Sequence, residues 1–436
     1  VNPRPLDPAT DAALRALGAS AGAPLAVEGV PLEDLANRFG TPLYVFSAQA
    51  LRDRLAAVQA ALGPRVEVLW SLKANPSVAV TRTLREAGAG AEIASLGELE
   101  VAVAAGHPPA SLRFAGPGKT DVELDVALSR GLGTFHVESA AELQSLADLA
   151  STRDVVADVA LRVNLPHELQ GSRMRMGGRS SRFGIDAAQV PAAVRAIQAT
   201  PCLRLRGLHV YGGTQGFDAA AFVRHARALC EHAAAWEQDL GVRFDELDLG
   251  GGFGVPAFRG DPCFDLDAAG EGLRALIAAH DRDGRRWFVE LGRYLSAPAG
   301  VYVCRVVRTK TSGDRQHAAL DGGMHHAAAA AGLGTVVRRP ALVAAVSPRE
   351  GDSRPVTLGG PLCTPADQLC EHLELPPLEA GDLVAVLHAG AYGLTYSPTR
   401  FLSHPSPAEV LLERGAARVV RARGRASDAL RDQALD

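Results

Sequence analysis

The residue in this chain best placed for chemistry is Lys73, in the run Val66-Glu67-Val68-Leu69-Trp70-Ser71-Leu72-Lys73-Ala74-Asn75-Pro76. Apolar and polar residues alternate into Trp70 as in a strand, and Asn75-Pro76 then turns the chain toward a helix, which puts Lys73 at a strand end. A lysine partly desolvated there can release its proton and attack a carbonyl carbon, forming a Schiff base. On this stretch alone, a surface lysine following a strand is the plainer reading. Three further clusters lie downstream. Gly250-Gly251-Gly252-Phe253-Gly254 would let backbone N–H groups approach a phosphate unobstructed, or would simply make a tight turn. Glu290-Leu291-Gly292-Arg293 offers one acid and one cation, or a surface ion pair. His209-Val210-Tyr211-Gly212-Gly213-Thr214 offers an imidazole, an aromatic ring and a hydroxyl, or a core histidine before a glycine turn.

These residues need elements to position them. Strand-like segments fall at 66–70, 91–94, 112–115, 134–137, 158–163, 206–210, 244–249 and 286–290, and all but the last are followed by a helical segment. Ser95 with Glu98 and Ser139 with Glu142 have capping-box spacing. Eight strand–helix units predict a (β/α)8 barrel, since a doubly wound sheet normally stops at five to seven strands. Such a barrel gathers its active site at the C-terminal strand ends and often holds phosphate in the loops after strands seven and eight, where the glycine run and Glu290–Arg293 fall. After Glu290 short strand-like segments at 301–307, 341–343, 383–387 and 409–412, separated by Gly and Pro, predict a β-rich second domain. The expected division is an N-terminal segment 1–40 packing with the β domain, a barrel at 41–298, the β domain at 299–420 and a frayed tail at 421–436.

Composition narrows the function class. A net charge of −4 with arginines spread along the chain provides no basic field for nucleic acid. The six cysteines form no CxxC pair, as expected for free thiols in a reducing cytosol, and no metal-ligand spacing stands out. With no membrane-length apolar run and no signal-peptide pattern in the first residues, a cytoplasmic protein is expected.

In combination the motifs resemble the fold-type III pyridoxal-phosphate decarboxylases, the group holding diaminopimelate and ornithine decarboxylases, over about Thr41 to Glu409. The resemblance rests on Ser71-Leu72-Lys73-Ala74-Asn75, Gly116-Pro117-Gly118-Lys119-Thr120, Ser181-Arg182-Phe183-Gly184, the glycine run, Glu290 to Arg293, Gly360-Pro361-Leu362-Cys363 with Asp367, and Gly390-Ala391-Tyr392. It implies that Lys73 carries pyridoxal 5'-phosphate and that Glu290 pairs with the pyridine nitrogen. It further implies that Gly251, Gly252, Phe253 and Gly254, with Gly292, Arg293, Thr214 and Tyr392, hold the phosphate. Cys363 and Asp367 would enter from the second subunit of a homodimer, the cysteine as proton donor and the aspartate as a substrate contact.

Four departures bear on specificity. The ring-stacking position, usually histidine, is Tyr211, whose phenol stacks equally well. Arg182 stands where the family often has lysine. The acid that in relatives grips a distal amino group is here Thr364. The tyrosine often found after an Arg-Pro pair is absent, because Arg339-Pro340 runs into Ala341-Leu342-Val343. Arg338, Arg339, His325 and His326 are the candidates for binding a substrate carboxylate or a phosphopantetheine oxygen. The Thr-Pro variant, Asp321 to His326 and Phe401 to Val410 look most like a sub-branch of secondary-metabolite and exopolysaccharide clusters. One member of it, in butirosin biosynthesis, decarboxylates glutamate tethered to an acyl carrier protein. The implied activity is α-decarboxylation of an amino acid or its derivative, free or carrier-bound. A racemase or epimerase on a related barrel would place an arginine where Glu290 stands, diaminopimelate decarboxylase proper would want an acid at Thr364, and a silent binding relative would not need Lys73, Cys363 and Tyr392 intact.

Overall fold

The structure, a computed structural model, describes residues 7–18, 24–165, 172–175, 181–282, 284–313, 315–333 and 339–434. Two compact units divide the chain: residues 53–254 with 264–294, and residues 1–52 with 255–263 and 295–436.

The first unit is a closed ring of parallel strands. In chain order they are β1 (Val66–Ser71), β2 (Gly90–Ile93), β3 (Leu112–Phe114), β4 (Thr134–Val137), β5 (Ala157–Asn164), β6 (Leu203–His209), β7 (Glu246–Gly251) and β8 (Arg286–Leu291). Each pairs with its successor, and β8 returns to β1 with Glu290 opposite Leu69. Burial explains why these segments are strands: Trp70, Phe114, Phe135, Trp287 and Phe288 are all fully buried. At two glycines backbone crowding decides the residue. A Cβ on Gly207 would overlap the Glu246 carbonyl oxygen, and one on Gly251 would overlap that of Glu290. Helix starts follow the predicted caps with one change. The Ser95 and Ser139 hydroxyls accept from the N–H groups of Glu98 (3.2 Å) and Glu142 (3.1 Å), but the glutamates reach back to Ala94 and Glu138, one residue beyond the cap. In the barrel unit a full reciprocal capping box forms at Thr120 and Glu123.

The second unit is built on a nine-stranded sheet. Its long central strand β9 (Gly300–Ser312) pairs antiparallel with Leu43–Ser47, which in turn runs parallel to Ala408–Glu413. Leu43–Ser47 therefore lies in the β-rich unit and not in the barrel where the sequence division placed it. Its five residues are all buried, so it reads equally well as a barrel strand, and only pairing assigns it. The strand Arg315–Leu320, Arg354–Gly359 and Gln368–Leu375 complete one side of this sheet. The N-terminal lead contains the helix Pro8–Ala16, whose Ala9, Ala13 and Leu14 join Leu43, Val45, Val301, Val303 and Val410 in one apolar core. Beyond residue 420 the chain is anchored: the Arg423 guanidinium donates to the carbonyls of Phe39 (3.2 Å) and Pro42 (2.8 Å).

Candidate active site

Lys73 sits in the 3-10 turn Leu72–Ala74 at the C-terminal end of β1, with its side chain one-third exposed. Its Nζ lies 3.2 and 3.4 Å from the two oxygens of Glu92 on β2 and 5.3 Å from the centre of the Tyr211 ring beyond β6. Glu92 is 2% exposed. Burial, then the neighbouring Glu290, raises its carboxyl above the usual range, with Lys73 opposing. Sequence reading passed over Glu92. A lone acid between Ala91 and Ile93 in a buried strand was the available signal, because an unpaired carboxylate would not be kept there.

Glu290 is also 2% exposed, at the end of β8. Around it stand His209 of β6 (Nε2 to Oε2, 3.4 Å) and His136 of β4 (Nδ1 to Oε1, 3.9 Å), with the imidazole centres 4.5 Å apart. Burial pushes both imidazoles well below their usual value, so both are neutral at pH 7. The glycine run is stitched to the strand Gly213–Gly216: Gly216 donates to the Gly252 oxygen (3.0 Å) and Gly254 donates to the Gly216 oxygen (2.8 Å). Thr214, nine-tenths buried, is thereby held beside the run. The amide of Gly254 is spent on Gly216 and is not a phosphate donor. Glycine is required at 254 because a Cβ would lie 2.5 Å from the Phe217 ring. Gly252 needs its φ of +88° and would overlap the Gly213 carbonyl with any side chain. Gly292 packs against Ala74, where a Cβ would come within 2.8 Å, and Arg293 opens the short helix Arg293–Ser296 after β8.

One acid missed in the sequence organises two of the motifs. Glu138, 6% exposed, accepts from Gly116 N–H (2.8 Å), from Gly184 N–H (3.1 Å) and from the Arg162 guanidinium (2.7 Å). It thus ties the Gly116–Thr120 loop to Ser181–Gly184. Arg162 and Arg182 lie 4.9 and 4.8 Å from the Phe183 ring centre, so arginine at 182 retains the cationic contact. The Lys119 side chain is buried, donates to the carbonyls of Gly116 and His136, and pairs with Glu142 at 2.7 Å, which makes it a loop brace.

In the β-rich unit, Cys363 is exposed on the loop after Arg354–Gly359. Asp367 is 5% exposed, and its oxygens accept from Met324 N–H (2.6 Å) and Leu362 N–H (2.8 Å). Side chains at Gly323 and Gly360 would collide with this carboxylate, which accounts for both glycines. Asp367 is therefore a brace for the Cys363 loop, correcting its expected role as a substrate contact. Thr364 has its hydroxyl on the Ala366 N–H at 3.2 Å. Arg339 is ion-paired with buried Asp261 at 2.5 Å and donates to the Arg259 carbonyl, so its charge is matched within the unit. His325 is fully buried against His326, ring centres 3.7 Å apart, and burial pushes it down to about 4. A buried neutral imidazole cannot serve as the cation expected for a substrate carboxylate. Burial takes His326 to about 3, and its Nδ1 lies 3.2 Å from the Tyr302 hydroxyl. Tyr392 has φ 52° and packs edge-on to Tyr396. Arg338 lies outside the described residues.

The barrel residues fit pyridoxal phosphate. A strand-end amine, a buried acid with an oxygen lacking any partner among the described residues, an aromatic ring beside the amine and a side-chain-free glycine run supply what its carbonyl, ring nitrogen, ring face and phosphate require. Comparisons with known proteins agree. Residues 48–297 match the family model described as pyridoxal-dependent decarboxylase, pyridoxal binding domain. The L-glutamyl-[BtrI acyl-carrier protein] decarboxylase of Niallia circulans is 34% identical over 407 residues, covering 92% of this chain and 95% of that protein. A diaminopimelate decarboxylase of Zymomonas mobilis is 32% identical over 423 residues, covering 94% and 96%. The crystal structure of diaminopimelate decarboxylase from M. jannaschii with L-lysine superposes with a TM-score of 0.88 over 95% of this chain and 97% of that one, at 23% identity.

Proposed function

The chain belongs to the pyridoxal-dependent decarboxylases, and from that premise we propose that it removes the α-carboxyl group of an amino acid whose far end is neutral, acidic or masked as a carrier thioester. The observation that carries this reading is Lys73 at the mouth of β1, paired with buried Glu92 and sharing the barrel interior with buried Glu290. Pyridoxal phosphate, when bound, supplies an electron sink for the pair left behind as CO2 departs. The protein's own groups do the rest. Lys73 would hold the cofactor at its carbonyl and would stand as the base beside the substrate amine. Glu92 holds the lysine side chain and its proton. Glu290 would hold the ring nitrogen, Tyr211 would stack on the ring, and Thr214, Gly251, Gly252, Phe253, Gly292 and Arg293 would receive the phosphate.

We further propose a homodimer in which Cys363 of a second copy returns a proton to the α-carbon, its loop held in shape by Asp367. Specificity rests on Thr364. A distal ammonium desolvated against a hydroxyl loses a charged partner, about 1–3 kcal/mol, so lysine, ornithine and diaminopimelate are disfavoured. The similarity to a decarboxylase of a glutamyl carrier protein supports a carrier-bound acidic substrate. CO2 release is to be compared across free basic amino acids, free glutamate and glutamyl-carrier thioester. Efficient turnover of free lysine or ornithine overturns the specificity reading. Borohydride should fix the cofactor to Lys73, and an adduct retained in Lys73→Ala overturns the site. Mixed Lys73→Ala and Cys363→Ala protomers should regain partial activity if sites are shared, and freely exchanging mixtures that stay inactive refute the shared site.

A further inference from the structure

Behind Glu290 the barrel holds a second acid that the decarboxylase reading leaves without a role. Asp248 on β7 is 2% exposed, and one ring nitrogen or carboxylate oxygen from each of His136, His209, Asp248 and Glu290 falls in a cluster whose atoms lie within 4.8 Å of one another. The Gly250 N–H donates to Asp248 Oδ1 at 3.0 Å, which fixes that carboxyl and leaves Oδ2 with no partner among the described residues. Glu290 Oε1 likewise has no hydrogen-bond partner among the described residues, with His136 Nδ1 3.9 Å away. An orphaned oxygen on each of two buried carboxyls is costly, and a hydrogen shared in the side-chain hydrogen bond between Asp248 and Glu290 relieves that cost.

Among the described residues no neighbouring cation is left to neutralise a second negative charge. Arg113 is spent on Glu246 (3.0 Å) and on the Phe288 ring, Lys119 on Glu142, Arg162 on Glu138 and Lys73 on Glu92. His136 and His209 are neutral, as derived above. We propose that Asp248 is a positioning residue for Glu290: it stands as the neutral acid, donates its hydroxyl hydrogen to Glu290, and leaves the pair with a single negative charge, the complement of one protonated ring nitrogen. Burial, then repulsion from Glu290, raises the Asp248 carboxyl well above its usual range, in agreement with the geometry. The inference rests on the reading of Glu290 as the ring-nitrogen partner. The proton on Asp248 is also a property of the cofactor-free protein.

Asp248→Asn tests it, because the amide reproduces the neutral acid's donor and acceptor. Absorbance titration with pyridoxal phosphate should give an affinity within a factor of about three of the unsubstituted protein, whereas Glu290→Gln should lose at least about tenfold. In the cofactor-free protein the folded state holds a proton on Asp248 that the unfolded chain releases above the usual carboxyl range, so the native acid costs stability increasingly as pH rises. Asp248→Asn should therefore melt higher than the unsubstituted protein at pH 8.5, with the difference closing toward pH 5. A tenfold loss of cofactor affinity in a folded Asp248→Asn protein, or a lower melting temperature at pH 8.5, overturns the inference. If that variant does not fold, infrared spectra of carbon-13-aspartate-labelled protein decide. They are recorded in an Asp321→Asn background, which removes the other aspartate raised by burial among the described residues. The band of a protonated aspartate should persist at pH 8, and its absence overturns the inference. Failure of every protein to bind the cofactor would instead count against the reading of Glu290, with melting and infrared results still deciding the proton.

Discussion

Replacing Glu138 by alanine should destabilise the barrel more than any exposed ion-pair deletion. The side chain is almost fully buried, Arg162 is 7% exposed in its side chain, and the carboxylate also satisfies two backbone donors. Removing one partner of a buried pair leaves an uncompensated charge, costing about 3–5 kcal/mol. Orphaned Gly116 and Gly184 amides would add about 1–3 kcal/mol each if they stayed dry, and water entering the cavity removes part of that. The expected loss is therefore no smaller than about 3 kcal/mol. Tryptophan fluorescence during urea unfolding is the assay, because the protein's three tryptophans, Trp70, Trp236 and Trp287, all lie in the barrel unit and report it alone. Adding Arg162→Met to Glu138→Ala should recover part of the loss by removing the stranded charge. A loss under about 1 kcal/mol, or a double variant no more stable than the single, refutes the assignment of Glu138 as a charged hub.

Thr364→Glu should gain turnover of free lysine or ornithine, by about tenfold or more relative to the unsubstituted protein, because it restores a counter-charge to a distal ammonium; steady-state CO2 release measures it. Asp367→Ala should expose the Met324 and Leu362 amides to rapid hydrogen exchange and lower activity through the Cys363 loop, with exchange mass spectrometry of that loop as the check. His325 and His326, taken down to about 4 and about 3 by burial, stay neutral in the folded state while the unfolded chain protonates near 6.5. Stability of the β-rich unit should then fall as pH drops from about 6.5 toward 4, and replacing both with Gln should flatten that slope in thermal melts. Burial raises Glu98 to about 7, which works in the opposite direction. The folded barrel holds a proton that the unfolded chain releases near 4.3, so stability falls as pH rises from about 4 to 7, and Glu98→Gln should remove that dependence.

Short apolar runs and their strand-end spacing were enough to place all eight barrel strands within a few residues of where they form, because parallel strands covered on both faces are buried at nearly every position. Lys73, Glu290 and the glycine run were legible for a related reason. Chemistry at the C-terminal mouth of a barrel sits just after its strands, so strand ends in the sequence mark it. The long-range pairings were not legible. Leu43–Ser47 is buried throughout and carries no mark of the sheet it joins, so only its partners Gly300–Ser312 and Ala408–Glu413 assign it to the β-rich unit. The same limit hid Glu92, Glu138 and Asp248, whose meaning lies in what they face across the barrel: an amine from one strand, a guanidinium from another, a second acid from a third. It also misdirected the reading of Asp367, Arg339 and His325, whose residue types suggest substrate contacts. Tertiary structure spends Asp367 on backbone amides, matches Arg339 with Asp261, and buries His325 until it is neutral. A sequence specifies which groups can ionise, while the fold decides, through burial and neighbours, which of them carry charge and what that charge is left to bind.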